Sequence, residues 1–427
     1  MKQQNREQLG LKELIAMGVG GMVGGGIFSV LGLSASLAGH AAPLAFVLGG
    51  VVALLTGWSY ARMGLAYRSD GGSFTYLEKA FPHPNIAALG GWLLLAGYIG
   101  TLALYAYTFG VYGAVMLGDM DHGSPMQHVL ESGVLLTFLG INLYGVRAAG
   151  RSEDVIVLIK VVILLMFAVS GLFFIKPDHL LPVFNQGESG VMTGAALIFV
   201  AYEGFELIPN AVHEMKDPDR NLPRAIMLSI LMTIAIYFLV SLVAVGNLLP
   251  AEINANKEYA LAVAAKPFLG HSGFVLIGLG ALLSTASAIN ATLFGTARLG
   301  KVMAKDSALP RAFSLSEKTR DIPWVSLCAI TAVTLVLVNF GDLTIISSFA
   351  SATFLLVFAS INFSAFRLHG NIGIPPIIPL SGLFFCLMSW LVLCNFLWQH
   401  GHQSLLWIAL FYGSVAGLEF LFSQRRL

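Results

Sequence analysis

Three ionisable residues lie inside otherwise apolar stretches of this chain, and their types suit the recognition or movement of charge. Glu203 and Glu206 interrupt Ile198-Phe-Val-Ala-Tyr-Glu-Gly-Phe-Glu206, and Lys160 interrupts Glu153-Asp-Val-Ile-Val-Leu-Ile-Lys-Val-Val-Ile-Leu-Leu-Met166. A charge at hydrocarbon depth costs several kcal/mol and faces a partner or a wet cavity by default. Lys160 stands about two helical turns inside its run, roughly 10 Å at 1.5 Å per residue. Snorkelling that far strains even lysine. A buried lysine has its pKa lowered, which makes it a candidate proton carrier; a snorkelled lysine or a permanent ion pair is the structural alternative. For the two glutamates the alternative is a span that starts later and leaves both at its inner end.

The second chemical signal is glycine. Gly18-Val-Gly-Gly-Met-Val-Gly-Gly-Gly-Ile-Phe28 places six glycines within nine residues. Each glycine costs a helix ~1 kcal/mol relative to alanine, so a weak or broken helix is expected at mid-membrane depth. Close helix packing is the other reading, because Gly20/Gly24 and Gly21/Gly25 each match G-x-x-x-G. A dinucleotide fingerprint is excluded: Val23 stands where the third glycine belongs, and no strand precedes the run. The interrupted stretches fall in the first and sixth apolar runs. Matching interruptions in two halves are the signature of an inverted repeat whose broken helices meet at a substrate site. A break exposes unpaired N–H groups on one half-helix and C=O groups on the other. The N–H end suits a carboxylate and the C=O end an ammonium, a pairing complementary to an α-amino acid.

The elements that hold these residues are membrane helices. The chain has 427 residues, 56% hydrophobic and 11% charged, with a mean hydropathy of +0.78. Soluble domains carry roughly 25% charged residues. Apolar runs near 11–38, 43–66, 86–117, 128–146, 154–175, 191–212, 225–249, 272–298, 322–340, 343–366, 376–398 and 404–422 give twelve candidate spans, several longer than the ~20 residues a crossing needs. The first run is read as a membrane helix and not a cleaved signal. With an inner N-terminus, 20 of the 24 Lys and Arg residues fall on the inner side. Lys176, Lys257 and Lys266 fall outside, and Lys160 within a span; that split obeys the positive-inside rule. Both termini are thus expected in the cytoplasm of a cell whose inner or plasma membrane holds the protein. The near-neutral charge argues against nucleic acid as a partner; the expected partners are the lipid bilayer and a small substrate, with the choice between monomer and dimer left open. Cys328, Cys386 and Cys394 lie in spans without metal or disulfide spacing. No zinc-protease, nucleophile-elbow or nucleotide-binding motif occurs, so an enzyme is not expected and no cofactor is required. A channel filter would show a repeated pore motif or charged rings, and none is present.

Several motifs then resemble one family. Gly-Gly-Met-Val-Gly-Gly-Gly-Ile-Phe28 is similar to the first-helix motif of the amino acid–polyamine–organocation (APC) transporters, and Ser69-Asp-Gly-Gly-Ser-Phe-Thr-Tyr76 to the loop after their second helix. Asn142-Leu-Tyr-Gly-Val146 and Glu214-Met-Lys-Asp-Pro-Asp-Arg-Asn-Leu-Pro-Arg224 resemble further signatures, and 260–270 with 304–310 resemble the archaeal proton-dependent, broad-specificity members. The resemblance is close over 8–315 and weaker beyond. It implies an all-α integral membrane protein with a sodium-symporter-like (LeuT-like) 5+5 inverted repeat: a tail at 1–10, a first repeat at 11–175, a second at 190–366, and two C-terminal helices in 376–427. It implies an amino-acid permease, a proton symporter without sodium, with exchange or nutrient sensing as alternatives.

The resemblance also places the site. Substrate carboxylate goes to N–H groups near Gly24, Gly25 and Gly26, beside Met22 and Val23; the amino group goes to carbonyls near Met22, Val200 and Glu203. Phe199 and Tyr202 flank the break as candidate gates, and Tyr105 and Tyr107 lie in the third span. Lys160 matches the lysine that replaces sodium in the proton-dependent members, with Gly20 and Ser284 as its neighbours. Two departures matter. Gly25 stands where many relatives have serine or alanine. Glu203 replaces a residue that is usually apolar, which favours a cationic group or adds a second protonation site. Glu206 matches an acidic position of the exchanger branches.

Overall fold

The computed structural model describes residues 9–69, 71–121, 123–145, 150–317 and 321–423. Most of the expected tail, and Arg147, Lys318, Arg320, Arg425 and Arg426 of the charge argument, lie outside the described residues.

The described chain is helical, with no strand among its residues and one isolated bridge between Leu9 and Met215. In order run α1 (Leu11–Met22), α2 (Gly26–Ala38), α3 (Ala42–Ala66), α4 (Gly72–Ala80), α5 (Pro84–Met116), α6 (Pro125–Tyr144), α7 (Gly150–Leu172) and α8 (Gly187–Leu197). Two 3₁₀ segments follow, Phe199–Tyr202 and Phe205–Glu214. Then come α9 (Pro218–Asn247), α10 (Pro250–Ala255), α11 (Ala260–Lys305), α12 (Trp324–Phe340), α13 (Leu343–Arg367), α14 (His369–Ile372), α15 (Ile377–His400) and α16 (His402–Ser423). Starts are set by local chemistry. Ser124 accepts the Gln127 N–H at 3.2 Å ahead of Pro125, and Asp342 accepts the Ile345 N–H at 2.7 Å, as N-caps do.

Each of the twelve apolar runs lies on a helix or a broken helix pair. Among the described residues, seven stretches are long and apolar enough to cross a membrane, or eight if the pair Gly187–Leu197 and Phe199–Glu214, bent by 51°, is one span. α12 is apolar but shorter. The fold is therefore that of a multi-pass membrane protein. α11 is kinked at Gly270, whose φ of 62° no helix permits. The loop motif that ends at Tyr76 leads into the nine-residue α4.

Centre and rim differ in burial. In the apolar windows of α5 and α13, 72% and 78% of residues are buried, against 22% in α15. Leu391, Phe384, Trp407, Leu410, Phe340 and Phe173 lie exposed on the outside. A belt of this kind is stable in hydrocarbon and not in water. Inside it, α5 packs on α11 and α13, α3 packs on α9, and α1 lies on α9. This places both interrupted segments at the centre.

Candidate functional site

The first interruption is shorter than the glycine run. α1 stays helical through Gly18, Gly20 and Gly21, and its last turn closes with the Val23 N–H on the Val19 carbonyl at 2.8 Å. Val23 then leaves the helix with ψ 56°, and α2 begins at Gly26. Packing and breakage thus belong to different glycines. A Cβ on Gly20 would sit 2.6 Å from Val157, and one on Gly21 3.0 Å from the Gly204 Cα. Gly24 and Gly25 instead lie under Tyr105: added Cβ atoms would fall 2.9 Å from its hydroxyl oxygen and 2.7 Å from its ring.

Carbonyls at the end of α1 are each met by a different helix. Lys160 of α7 donates to the Gly20 carbonyl at 2.6 Å. Tyr237 of α9 donates to the Met22 carbonyl at 2.6 Å, and Ser284 of α11 to the Val23 carbonyl at 2.9 Å. Lys160 is 1% exposed, so its ammonium lies wholly within the helix bundle. Gly20 and Lys160 are therefore directly bonded, and Ser284 holds the same break three residues further on. The first N–H groups of α2 have no carbonyl a turn behind them, as at any helix start.

The sixth interruption follows α8. Residues Phe199–Tyr202 tighten into a 3₁₀ turn, Glu203 is extended (ψ 141°), and Gly204 adopts φ 128°. That φ is open to glycine and strained for other residues. Gly204 also touches the first break: an added Cβ would be 2.6 Å from the Gly21 carbonyl carbon. Gly26 likewise faces the Ala201 Cα, at 2.9 Å from a Cβ placed on it. The two breaks meet backbone to backbone. Ser351 of α13 bridges the second, donating to the Leu197 carbonyl at 2.6 Å and accepting from the Val200 N–H at 3.0 Å.

Both glutamates are buried here, Glu203 at 3% and Glu206 at 2% exposure. Glu206 is well supplied with donors: the Gly204 N–H at 2.7 Å and the Tyr98 hydroxyl at 3.4 Å. For Glu203 the neighbours are the Glu206 carboxylate and the Thr101 hydroxyl, and its Oε2 has no hydrogen-bond partner. Tyr98, Thr101 and Tyr105 are three and four residues apart, which puts them on one face of α5.

The remaining expected residues divide. Phe199 packs edge-on against Phe358 with ring centres 5.7 Å apart. Tyr202 sends its hydroxyl to the Phe46 carbonyl at 2.6 Å, which makes it a strut toward α3. Tyr107 also points elsewhere, donating to Glu258 at 2.7 Å. It joins a second buried polar group, in which Gln127 donates to Glu131 at 2.7 Å and His128 lies 3.1 Å from that carboxylate.

Sequence reasoning missed Tyr237, Ser351, Tyr98 and Thr101. Each is a single polar side chain in an apolar helix, and only the facing break gives it a role. His213, in the last turn of the segment Phe205–Glu214, is exposed. Among the described residues, no three His, Cys, Asp or Glu side chains converge as metal ligands.

Comparison with known proteins places this geometry in context. The sequence profile described as amino acid permease matches residues 9–416, which extends the likeness through the C-terminal helices where single motifs were weak. An uncharacterised protein of Methanocaldococcus jannaschii is 34% identical, covering 86% of this chain and 84% of its own length. An inner membrane transport protein of Escherichia coli is 32% identical, covering 94% and 93%. A methylthioribose transporter of Bacillus subtilis is 29% identical, covering 71% and 68%.

Proposed function

This chain belongs to the amino acid permease family of the APC transporters, and from that premise we propose that it is a proton-coupled, sodium-independent amino-acid transporter working by alternating access. The observation that carries the reading is the meeting of the two backbone breaks, Gly204 against Gly21 and Ala201 against Gly26. Such a junction offers helix N–H groups to a carboxylate and helix C=O groups to an ammonium within one buried site. Substrate carboxylate binds at Gly24, Gly25 and Gly26; the amino group binds at the carbonyls around Val200 and Glu203. Tyr105 closes over the glycines, and Phe199 borders the site. In this reading the chain crosses the inner or plasma membrane twelve times with both termini in the cytoplasm, as two five-helix repeats (11–175 and 190–366) and two further helices.

The coupling element is Lys160. Charged, its ammonium ties α7 to the end of α1 through the Gly20 carbonyl. Deprotonated, it loses the charge-assisted part of that bond, and charged hydrogen bonds are roughly twice as strong as neutral ones. Proton loss thus frees α1 to move against α7, which supplies the bistable element that coupling needs. The coupling ion is the proton, and the mechanism calls on no cofactor.

The test is uptake of a labelled amino-acid panel, with methylthioribose included, into proteoliposomes under an inward proton gradient, with and without sodium. Wild-type uptake is expected to follow the proton gradient and ignore sodium, and Lys160→Ala to abolish or uncouple it. Uptake by Lys160→Ala that still follows the gradient would sink the lysine mechanism. The buried, hydrogen-bonded Glu206 favours a second reading, obligate exchange; activity only in preloaded vesicles would select it.

A further inference from the structure

Burial of Glu203 leaves a charge to be balanced at the junction. Its Oε2 is fully enclosed and has no hydrogen-bond partner. Thr101 is within reach, but its hydroxyl also donates to the Gly97 carbonyl at 3.2 Å, so a single proton serves two acceptors. Among the described residues, none of the ion pairs involves Glu203. The ammonium of Lys160 is engaged at Gly20, on α1. Glu206 differs, because Gly204 and Tyr98 supply it with internal donors. A buried carboxylate with neither cation nor adequate donors is among the most costly groups a membrane protein can hold.

An occupied site changes that balance. The half-helix ends neutralise a zwitterion by themselves, carboxylate to N–H and ammonium to C=O. A zwitterion brings no net charge, so it leaves Glu203 uncompensated. We propose that Glu203 sets the net charge of the cargo: the site closes only over one added positive charge. That charge arrives either as a cationic amino acid or amine, or as a zwitterionic amino acid together with a proton held on the Glu203 carboxylate. The inference rests on reading the two breaks as the substrate site, and it defines the substrate class of that site.

The consequence is a linkage rule. Binding of a neutral amino acid takes up one more proton than binding of a cationic one. Their dissociation constants therefore diverge about tenfold per pH unit, with the neutral ligand favoured at low pH. Other titratable groups face the same junction: Glu206 on the same segment, Tyr98 and Tyr105 from α5, Tyr60 from α3, Tyr237 from α9, and Lys160 from α7. Of these, Glu206 acts on Glu203 directly, so a shift carried by Glu206 is the alternative that Glu203→Gln tells apart. Phenols ordinarily titrate near pH 10, above the range needed.

The experiment measures binding in detergent, without any gradient, from pH 5.5 to 7.5. Matched pairs serve as probes: L-arginine with L-citrulline, L-lysine with L-norleucine, and cadaverine as a plain diamine. In the wild type, the ratio of dissociation constants within each pair is expected to shift about tenfold per pH unit. In Glu203→Gln the shift should vanish, and the cationic ligands should lose about 10- to 100-fold in affinity, the usual worth of a charged hydrogen bond. Glu203→Asp keeps the charge and should keep the shift, which preserves the test if the glutamine variant does not fold. A ratio that is flat with pH in the wild type, or a shift that survives in Glu203→Gln, overturns the assignment of Glu203 alone. Failure of the wild type to bind any of these probes overturns this inference, whereas the transporter reading falls only if the whole uptake panel fails as well.

Discussion

Tyr237 holds two backbone breaks with one hydroxyl, within 2.6 Å of the Met22 carbonyl and 3.0 Å of the Ala201 carbonyl. It has a single proton to donate, so it favours one break at a time, and a shift of α1 against the sixth segment changes which. Its ring is fixed by Phe46 and Tyr202, with centres 5.5 and 5.4 Å away. Tyr237→Phe keeps that packing and removes the donor. It should cost about 1–3 kcal/mol, the penalty for leaving a buried acceptor unpaired. A lower melting temperature in detergent together with slowed uptake is the expected result; wild-type values for both would show that the hydroxyl does not hold the junction. Ser351→Ala tests the same point on the other side. It strands the Leu197 carbonyl and the Val200 N–H together, so its loss of stability should be at least as large.

The elements that matter are those that stop. α1 and α8 end inside the bundle, and the strands of chain between half-helices pass so closely that side chains are excluded. Gly204 is the extreme case, with φ 128° and the Gly21 backbone where a Cβ would go. Gly204→Ala adds backbone strain of order 1–3 kcal/mol to a backbone clash. Gly21→Ala adds only a tight contact at 3.0 Å, in ordinary helical conformation. The order of damage should be Gly204→Ala worse than Gly21→Ala, read as the monodisperse fraction of a fluorescent fusion on size-exclusion chromatography. The reverse order would mean that the breaks do not touch as described.

On the scale of the whole molecule, the asymmetry of basic residues makes a topological prediction. Lys257 lies in the connection between α10 and α11, and Lys216 in that between the sixth segment and α9. α9, 30 residues long and about 45 Å at 1.5 Å per residue, separates the two. In a background with Cys328, Cys386 and Cys394 replaced, Lys257→Cys should react with an impermeant thiol reagent added to intact cells. Lys216→Cys should react only after the membrane is opened. Labelling of both from outside would overturn the assigned orientation. The apolar belt of α15 and α7 and the burial of α5 and α13 assign the former to lipid contact and the latter to the framework around the site.

Much of this was legible in the order of residues alone. The apolar runs, the class of the fold and the family follow from hydropathy and a few motifs, because a bilayer demands about twenty apolar residues per crossing whatever they pack against. Lys160, Glu203 and Glu206 were equally visible, since a charge in an apolar run stands out without any structure. The glycine run announced a weak helix, but which glycines break it and which pack was decided by neighbours distant in sequence: Val157 beside Gly20, Gly204 beside Gly21, and Tyr105 beside Gly24 and Gly25. Tyr237, Ser351 and Tyr98 carried no signal of their own, being ordinary polar residues in membrane helices. Only the tertiary structure brings their hydroxyls to carbonyls, amides and carboxylates on other segments, and only it separates Glu206, with its donors in place, from Glu203, which has an oxygen unmet. Hydropathy is a property each residue carries with it, whereas the partner of a buried polar atom is a property of the packed chain.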